Sequence, residues 1–398
     1  MSEKGDGLDS TDLKTTVVSE VETRRSELGE LSRKIHANPE LGFQETRAAG
    51  WLAQYLEENG FSVERGVCEM PTAFRASYGK GKPAIAILAE YDALPDLGHA
   101  CGHNIIAACA VGAGVAARVA ADRFGGSIIV IGTPAEELYG GKIIMVGRGA
   151  FTGLDAAMIV HPGTDDTAVT QALACQSLKV EFFGRAAHAA AQPEAGINAL
   201  EAMLQSFTAI NSLRQHIKDK ARIHGIITHG GEATNVVPAY SAGSFLVRAE
   251  DDAYLNELKQ KVINCFTGAA TATGARLEYK WEDRRYAPMR SNLALAQLFS
   301  RNLESLGRRV TAADPCRTFG STDMGNVSQV VPSIHPFVAI APEGVGHHTT
   351  QFAAAAASEA GVKGLLDAAK ALAMTAVDLL ASPELASRVE EEFRQRDG

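Results

Sequence analysis

The stretch Ala84-Ile85-Ala86-Ile87-Leu88-Ala89-Glu90-Tyr91-Asp92-Ala93-Leu94-Pro95, followed by His99-Ala100-Cys101-Gly102-His103, sets the architecture. Residues 84–88 have the length and apolar composition of a buried strand. An acidic turn follows, and then residues 104–121 read as a long, Ala-rich buried helix. Two further apolar runs, 127–132 and 156–160, repeat the strand pattern. Strands alternating with helices of this length imply a largely parallel sheet. Glu90 and Asp92 follow the first strand, Glu136-Glu137 the second and His161-Pro162 the third. Ligands in open α/β sheets gather at the carboxyl ends of the strands, so three strand ends deliver polar side chains to one edge.

Working outward, residues 11–35 read as one polar amphipathic helix ending near Asn38-Pro39, and 45–59 as a second helix before a turn at Gly60. From about Cys175 the texture changes. Strand-like runs at 177–183, 222–228, 241–248 and 276–281 alternate with helical runs at 198–217 and 252–270. This β-α-β-β-α-β order is the ferredoxin-like split motif. The expected organisation is a discontinuous α/β domain (residues 1–174 and 289–398) with a mostly parallel sheet, into which an α+β lid (residues 175–288) is inserted. Long helices return at 292–306 and 353–380, around a Gly- and Pro-punctuated region holding Asp323, His335, His347 and His348.

At 398 residues, 46% of them hydrophobic, the chain is long enough for two domains with a sizeable core. A net charge of -9 argues against broad nucleic-acid binding, which needs a basic face. The N-terminus lacks the basic start and apolar segment of a secretory signal, and the apolar stretches are broken by polar residues, so no membrane span is expected. Six scattered cysteines (Cys68, Cys101, Cys109, Cys175, Cys265, Cys316) form no disulfide framework and fit a reducing, cytoplasmic compartment.

Cys101-x-His103 can place a thiolate and an imidazole on one metal, although such a tripeptide alone is commonly structural. Adjacent carboxylates such as Glu136-Glu137 are by default a solvated turn; functionally, one can bind metal while the other takes a proton from water. His161 ends a buried strand on the same edge, and one of His347-His348 can supply a further neutral donor. This thiol, imidazole and carboxylate set suits a pair of divalent metals with a general base, a combination that hydrolyses amides.

A competing motif, Gly112-Ala-Gly114-Val-Ala-Ala117, fits a loose dinucleotide fingerprint. Its glycines lie inside a continuous apolar stretch rather than at a strand-to-helix turn, and small residues in a close-packed helix explain them more simply. The sequence contains neither a G-x-S-x-G elbow nor a phosphate-binding G-x-x-x-x-G-K-[ST] loop.

The chain resembles the dinuclear metallo-aminoacylases and carboxypeptidases, in their aminobenzoyl-glutamate-hydrolase-like and aminoacylase-like branch. The resemblance spans nearly the whole chain. It rests on His36-Ala-Asn-Pro-Glu40-Leu-Gly-Phe, Glu90-Tyr-Asp92-Ala-Leu-Pro, His99-Ala-Cys101-Gly-His103-Asn104 and Pro134-Ala-Glu136-Glu137. Gly184-Arg-Ala-Ala-His188-Ala, Thr234-Asn235-Val-Val-Pro238 and Gly320-Ser-Thr-Asp323-Met-Gly extend it. It implies Cys101, His103, Glu137, His161 and His348 as ligands of two divalent ions per subunit (zinc or manganese), with Cys101 as a bridge. It implies Glu136 as general base, Asp92 orienting an imidazole, His188 steadying the oxyanion, and Asn235 and Arg248 holding a substrate carboxylate. A homodimer through the inserted domain is implied as well.

There are departures. Asn104 stands where many relatives carry Asp, and Thr322-Asp323 replaces a Glu-Asp pair. The expected function is hydrolysis of an N-acyl or aroyl amino acid, or of a dipeptide, as small-molecule amide substrates. The alternatives are displacement of an amine from an activated ring, a catalytically silent binding protein, and a dinucleotide-dependent oxidoreductase.

Overall fold

The computed structural model describes residues 10–312 and 320–395, so Cys316 lies outside the described residues. Two compact units divide the chain: residues 10–171, 289–312 and 326–395 form one, and residues 172–288 with 320–325 the other.

The first unit is built on a six-stranded sheet in the order Ser62–Arg65, Phe74–Lys80, Gly126–Gly132, Ala84–Ala89, Ala156–Met158, Ser333–Ile334. The first two pairings are antiparallel and the other three parallel. The sheet is therefore parallel at the site and mixed at one edge. Every residue of Ala84–Ala89 and Gly126–Gly132 is buried, which is why these strands read as continuous apolar runs.

The helix His103–Phe124 packs on this sheet and against the helix Glu359–Ala381. By length and composition it is apolar enough to cross a membrane, an exception to the expectation that no stretch would be, yet it is a core helix, 89% of its most apolar window being buried. Gly112 and Gly114 are packing residues: a Cβ would meet Leu28 Cδ1 at 2.7 Å or Val130 Cγ2 at 2.4 Å. Close approach to a neighbouring helix at Gly112 and to the sheet at Gly114 accounts for both, and removes the basis of the dinucleotide motif.

The structure corrects three element boundaries. The N-terminal helix is two, Ser10–Thr23 and Arg25–His36, divided at Arg24, whose φ of -91° and ψ of 10° leave the helical region. The C-terminal helix is also two, Thr350–Ala356 and Glu359–Ala381, because Ser358 starts a new helix by accepting a hydrogen bond from Gly361 N. The strand expected at 156–160 pairs in the main sheet only to Met158; His161–Gly163 then pairs in parallel with Phe337–Ala339.

The second unit has a four-stranded antiparallel sheet in the order Arg276–Tyr286, Ala174–Phe183, Tyr240–Ala249, Arg222–His229, with the helices Ala199–Leu213 and Asp252–Thr273. Numbered along the chain, the strands run 4-1-3-2, the order of a ferredoxin-like fold. The buried positions of Tyr240–Ala249 alternate strictly, so one face of the sheet is covered by the helices.

Candidate metal centre

Asp92 is the first fixed point. It is buried just beyond the strand Ala84–Ala89, and its two oxygens accept separate hydrogen bonds, Oδ1 from His103 Nδ1 at 2.9 Å and Oδ2 from the Glu137 backbone N–H at 3.0 Å. Burial alone would raise its pKa, but His103 and the Glu137 amide outweigh that and hold the carboxyl below its ordinary value. With Nδ1 donating to Asp92, Nε2 is the nitrogen left facing Glu137 Oε1 at 3.8 Å and Glu90 Oε2 at 3.5 Å. His103 Nε2 and Glu137 Oε1 are both buried without a hydrogen-bond partner.

Gly102 makes this entry to the helix possible. Its φ is +81°, and a Cβ there would meet Pro162 Cγ at 2.5 Å. Cys101 is buried on its other side, with Sγ 3.4 Å from His161 Nε2. His161 Nδ1 donates to the Pro162 carbonyl at 2.8 Å, which directs its Nε2 lone pair inward. Burial, with His347 and His335 beside it, holds His161 well below the ordinary histidine value, in the neutral form that ligates.

Glu136 and Glu137 open the four-residue helix Glu136–Tyr139, after Ala135 at φ 61° and ψ 45°. Of the histidine pair, His347 donates Nε2–H to the Pro162 carbonyl at 2.9 Å and packs on Phe352, whereas His348 brings Nε2 to 3.4 Å from Glu137 Oε1. His348 has a left-handed φ of 61° and is held by its backbone N–H on the Ala100 carbonyl.

Ligand atoms of three overlapping groups lie within 4.8 Å of one another: Cys101, His103 and His161; Cys101, Glu137 and His348; His103, Glu136 and Glu137. The site thus gathers all five expected ligands and Glu136. Its donors fit divalent cations: a thiol, carboxylates and three imidazoles, of which His103 and His161 have their lone pairs set by hydrogen bonds at the other nitrogen.

The remaining expected residues lie in the second unit. His188 pairs with Val236 in a short antiparallel bridge beside Asn235, whose carbonyl accepts from Ala189 N–H at 2.9 Å. The backbone N–H groups of Ala190 and Ala191 donate to His188 Nδ1 at 3.3 and 3.1 Å, so the neutral ring carries its proton on Nε2. Arg248 is half-buried and donates to Ser321 Oγ at 2.6 Å. Asp323 is fully buried.

Three residues take places that the sequence did not reveal. Lys142 is fully buried and donates to Glu90 Oε1 at 2.5 Å, so Glu90 beside His103 has its own counter-charge. His335 is buried with Nε2 unpartnered. Glu45 is fully buried against Ala135. Asn104 explains itself: Nδ2 donates to Ser32 Oγ at 2.9 Å and to the Ala356 carbonyl at 3.1 Å, joining three helices, and a carboxylate could not donate to that carbonyl.

An α/β scaffold that collects these donors at its strand ends defines a hydrolase of the metallopeptidase class. Residues 86–371 match the family described as Peptidase family M20/M25/M40. The chain is 39% identical over 398 residues to the Xaa-Arg dipeptidase of Mus musculus, covering 96% of this chain and 92% of that protein. It is 31% identical over 449 residues to a p-aminobenzoyl-glutamate hydrolase polypeptide of Escherichia coli (strain K12), covering 94% and 93%. Its fold is similar to that of the Bacillus subtilis YXEP protein, described as a dinuclear metal binding peptidase, with a TM-score of 0.71, 21% identity, and 90% and 99% of the two chains covered. The chain belongs to the peptidase family M20/M25/M40. It is an enzyme of the amide-hydrolysing kind, in the branch that its residues resembled.

Proposed function

We propose that this enzyme uses two divalent cations, zinc or manganese, to cleave a dipeptide or an N-acyl or aroyl amino acid whose amine half carries a free carboxylate. The convergence of Cys101, His103, Glu136, Glu137, His161 and His348 carries the reading. Cys101, His103, Glu137, His161 and His348 would hold the cations. When bound, the cations supply polarisation of the scissile carbonyl and acidification of a water. Asp92 keeps the His103 lone pair inward. Glu136 takes the proton of the attacking water and hands it to the leaving amine nitrogen. His188, with its proton on Nε2, has the tautomer needed to donate to an oxyanion. Arg248 and Asn235 receive the substrate carboxylate. The dipeptide half of the proposal is favoured by the Xaa-Arg dipeptidase relatives of Mus musculus and Homo sapiens, at 39% and 36% identity.

The second unit serves in this reading as lid and dimerisation domain of a cytoplasmic homodimer. Its strand Arg222–His229 is a sheet edge, and Ile226 and Ile227 on it are 65% and 38% exposed. An apolar edge is a template for pairing with a second copy.

The test is Glu136→Gln. Turnover should fall by at least about three orders of magnitude, as expected when the base of a water attack is lost. Metal content per chain should stay at the wild-type value, measured by elemental analysis beside a panel of dipeptides and N-acyl amino acids. Full activity in that variant would end the proposal.

A further inference from the structure

Glu45 stands at the N-terminal boundary of the helix Thr46–Glu58 but does not cap it. Glu40 does so instead, accepting from the backbone N–H groups of Arg47 and Ala48 at 3.0 Å each. The Glu45 side chain is turned into the protein, fully buried, and its Oε1 accepts from the Ala135 backbone N–H at 2.8 Å. Burial, with Asp92 nearby, pushes this carboxyl up to about 7.

Ala135 is the turn that leads into Glu136 and Glu137. It is a non-glycine residue in the left-handed region, at φ 61°, a conformation that costs about 1 kcal/mol or more and persists only where surroundings impose it. Its N–H is held by Glu45, and its carbonyl accepts from Gly141 N–H at 3.0 Å. Gly42 presses on it as well: a Cβ there would lie 2.9 Å from Ala135 Cβ. Two residues later, the Glu137 N–H is held by Asp92 at 3.0 Å. Glu136 is thus suspended between two backbone amides, each tied to a buried carboxyl from a different element.

We propose that Glu45 is a positioning residue for Glu136: by accepting the Ala135 N–H it holds the left-handed turn that aims the base. The proposal rests on the reading of Glu136 as base. It requires an acceptor oxygen at this point and not a charge.

Glu45→Gln keeps the acceptor and removes the ionisable carboxyl; Glu45→Asp keeps the carboxyl and withdraws the acceptor by one C–C bond, about 1.5 Å. A displacement of that order at a catalytic group costs on the order of 100-fold in rate. E45Q should retain kcat within about threefold, and E45D should lose about 10- to 100-fold in kcat, with KM and metal content near wild type. Amide exchange of residues 135–139, followed by mass spectrometry on both variants with their melting temperatures as control, should accelerate in E45D only. Wild-type kcat and exchange in E45D, or an equal loss in E45Q, would overturn the proposal. The exchange measurement does not depend on Glu136 chemistry, so an active E136Q enzyme would remove the base while leaving the hold of Glu45 on Ala135 separately decided.

Discussion

Asp92→Asn is the sharpest perturbation of the site, because it changes one atom and splits two hydrogen bonds. The carboxylate accepts from His103 Nδ1 at 2.9 Å and from Glu137 N at 3.0 Å, one donor to each oxygen. An asparagine offers one acceptor and one NH2, so both donors cannot be satisfied. If the amide oxygen stays with Glu137, the NH2 faces His103, whose imidazole must accept at Nδ1 and place its proton on Nε2. That takes Nε2, which faces Glu137 Oε1 at 3.8 Å, out of use as a donor atom for a cation. If the oxygen stays with His103, the Glu137 N–H is buried against another donor, which costs about 1–3 kcal/mol. Either route weakens cation binding by about 10- to 100-fold, since about 1.4 kcal/mol is a factor of ten. Competition with a chelator of known affinity measures the change, and nitrogen NMR of the imidazole reports the tautomer. A cation Kd within about twofold of wild type, with His103 still protonated on Nδ1, would refute the reasoning.

Two more expectations follow from backbone and surface. Gly102→Ala should destabilise the protein by about 2–4 kcal/mol in urea titration, from left-handed strain at φ +81° and overlap with Pro162; an effect below about 0.5 kcal/mol would show that the turn between Cys101 and His103 yields freely. Ile226→Asp places a charge on the exposed sheet edge, where Ile226 is 65% exposed. Sedimentation should show a dimeric wild type and a monomeric variant; a monomeric wild type or an undisturbed dimer in the variant would exclude this edge as the interface.

The residues that sequence reasoning found are those whose chemistry is concentrated in short motifs at the ends of apolar strands. Ala84–Ala89 and Gly126–Gly132 are buried on both faces, so they show as uninterrupted apolar runs and expose the acidic turns after them. Phe74–Lys80 was illegible for the opposite reason. Its exposure rises towards the end of the strand, and its Arg-Ala-Ser-Tyr segment carries mixed polarity with no run to detect. The two helix breaks at Arg24 and Ser358 were hidden because amphipathic periodicity continues across them while only the backbone departs. Lys142 and Glu45 were missed because a buried charge looks like a surface one in sequence. Nothing local distinguishes Lys142 from an exposed lysine until the fold sets it 2.5 Å from Glu90.

The electrostatics of the centre make the strongest case that it is built around cations. Glu90, Asp92, Glu137 and Cys101 crowd the strand ends, and all but Glu137 are buried outright. Lys142 offsets Glu90, whereas Asp92 and Glu137 face imidazoles where their atoms converge. The surroundings act on His103 accordingly: burial opposes its charge, yet Asp92 and Cys101 outweigh burial and raise its pKa well above the ordinary value. The same neighbourhood pushes the Cys101 thiol up, through burial first and Glu137 second. Asp92 favours charge on the neighbouring imidazole and Glu137 disfavours it on the neighbouring thiol, as a negative potential at the centre requires. Divalent cations held at that point would oppose both tendencies and favour neutral His103 and ionised Cys101, the forms in which each ligates. Metal binding should therefore release protons, measurable as a buffer-dependent heat in titration calorimetry, and an uptake of cation with no proton released would contradict this account.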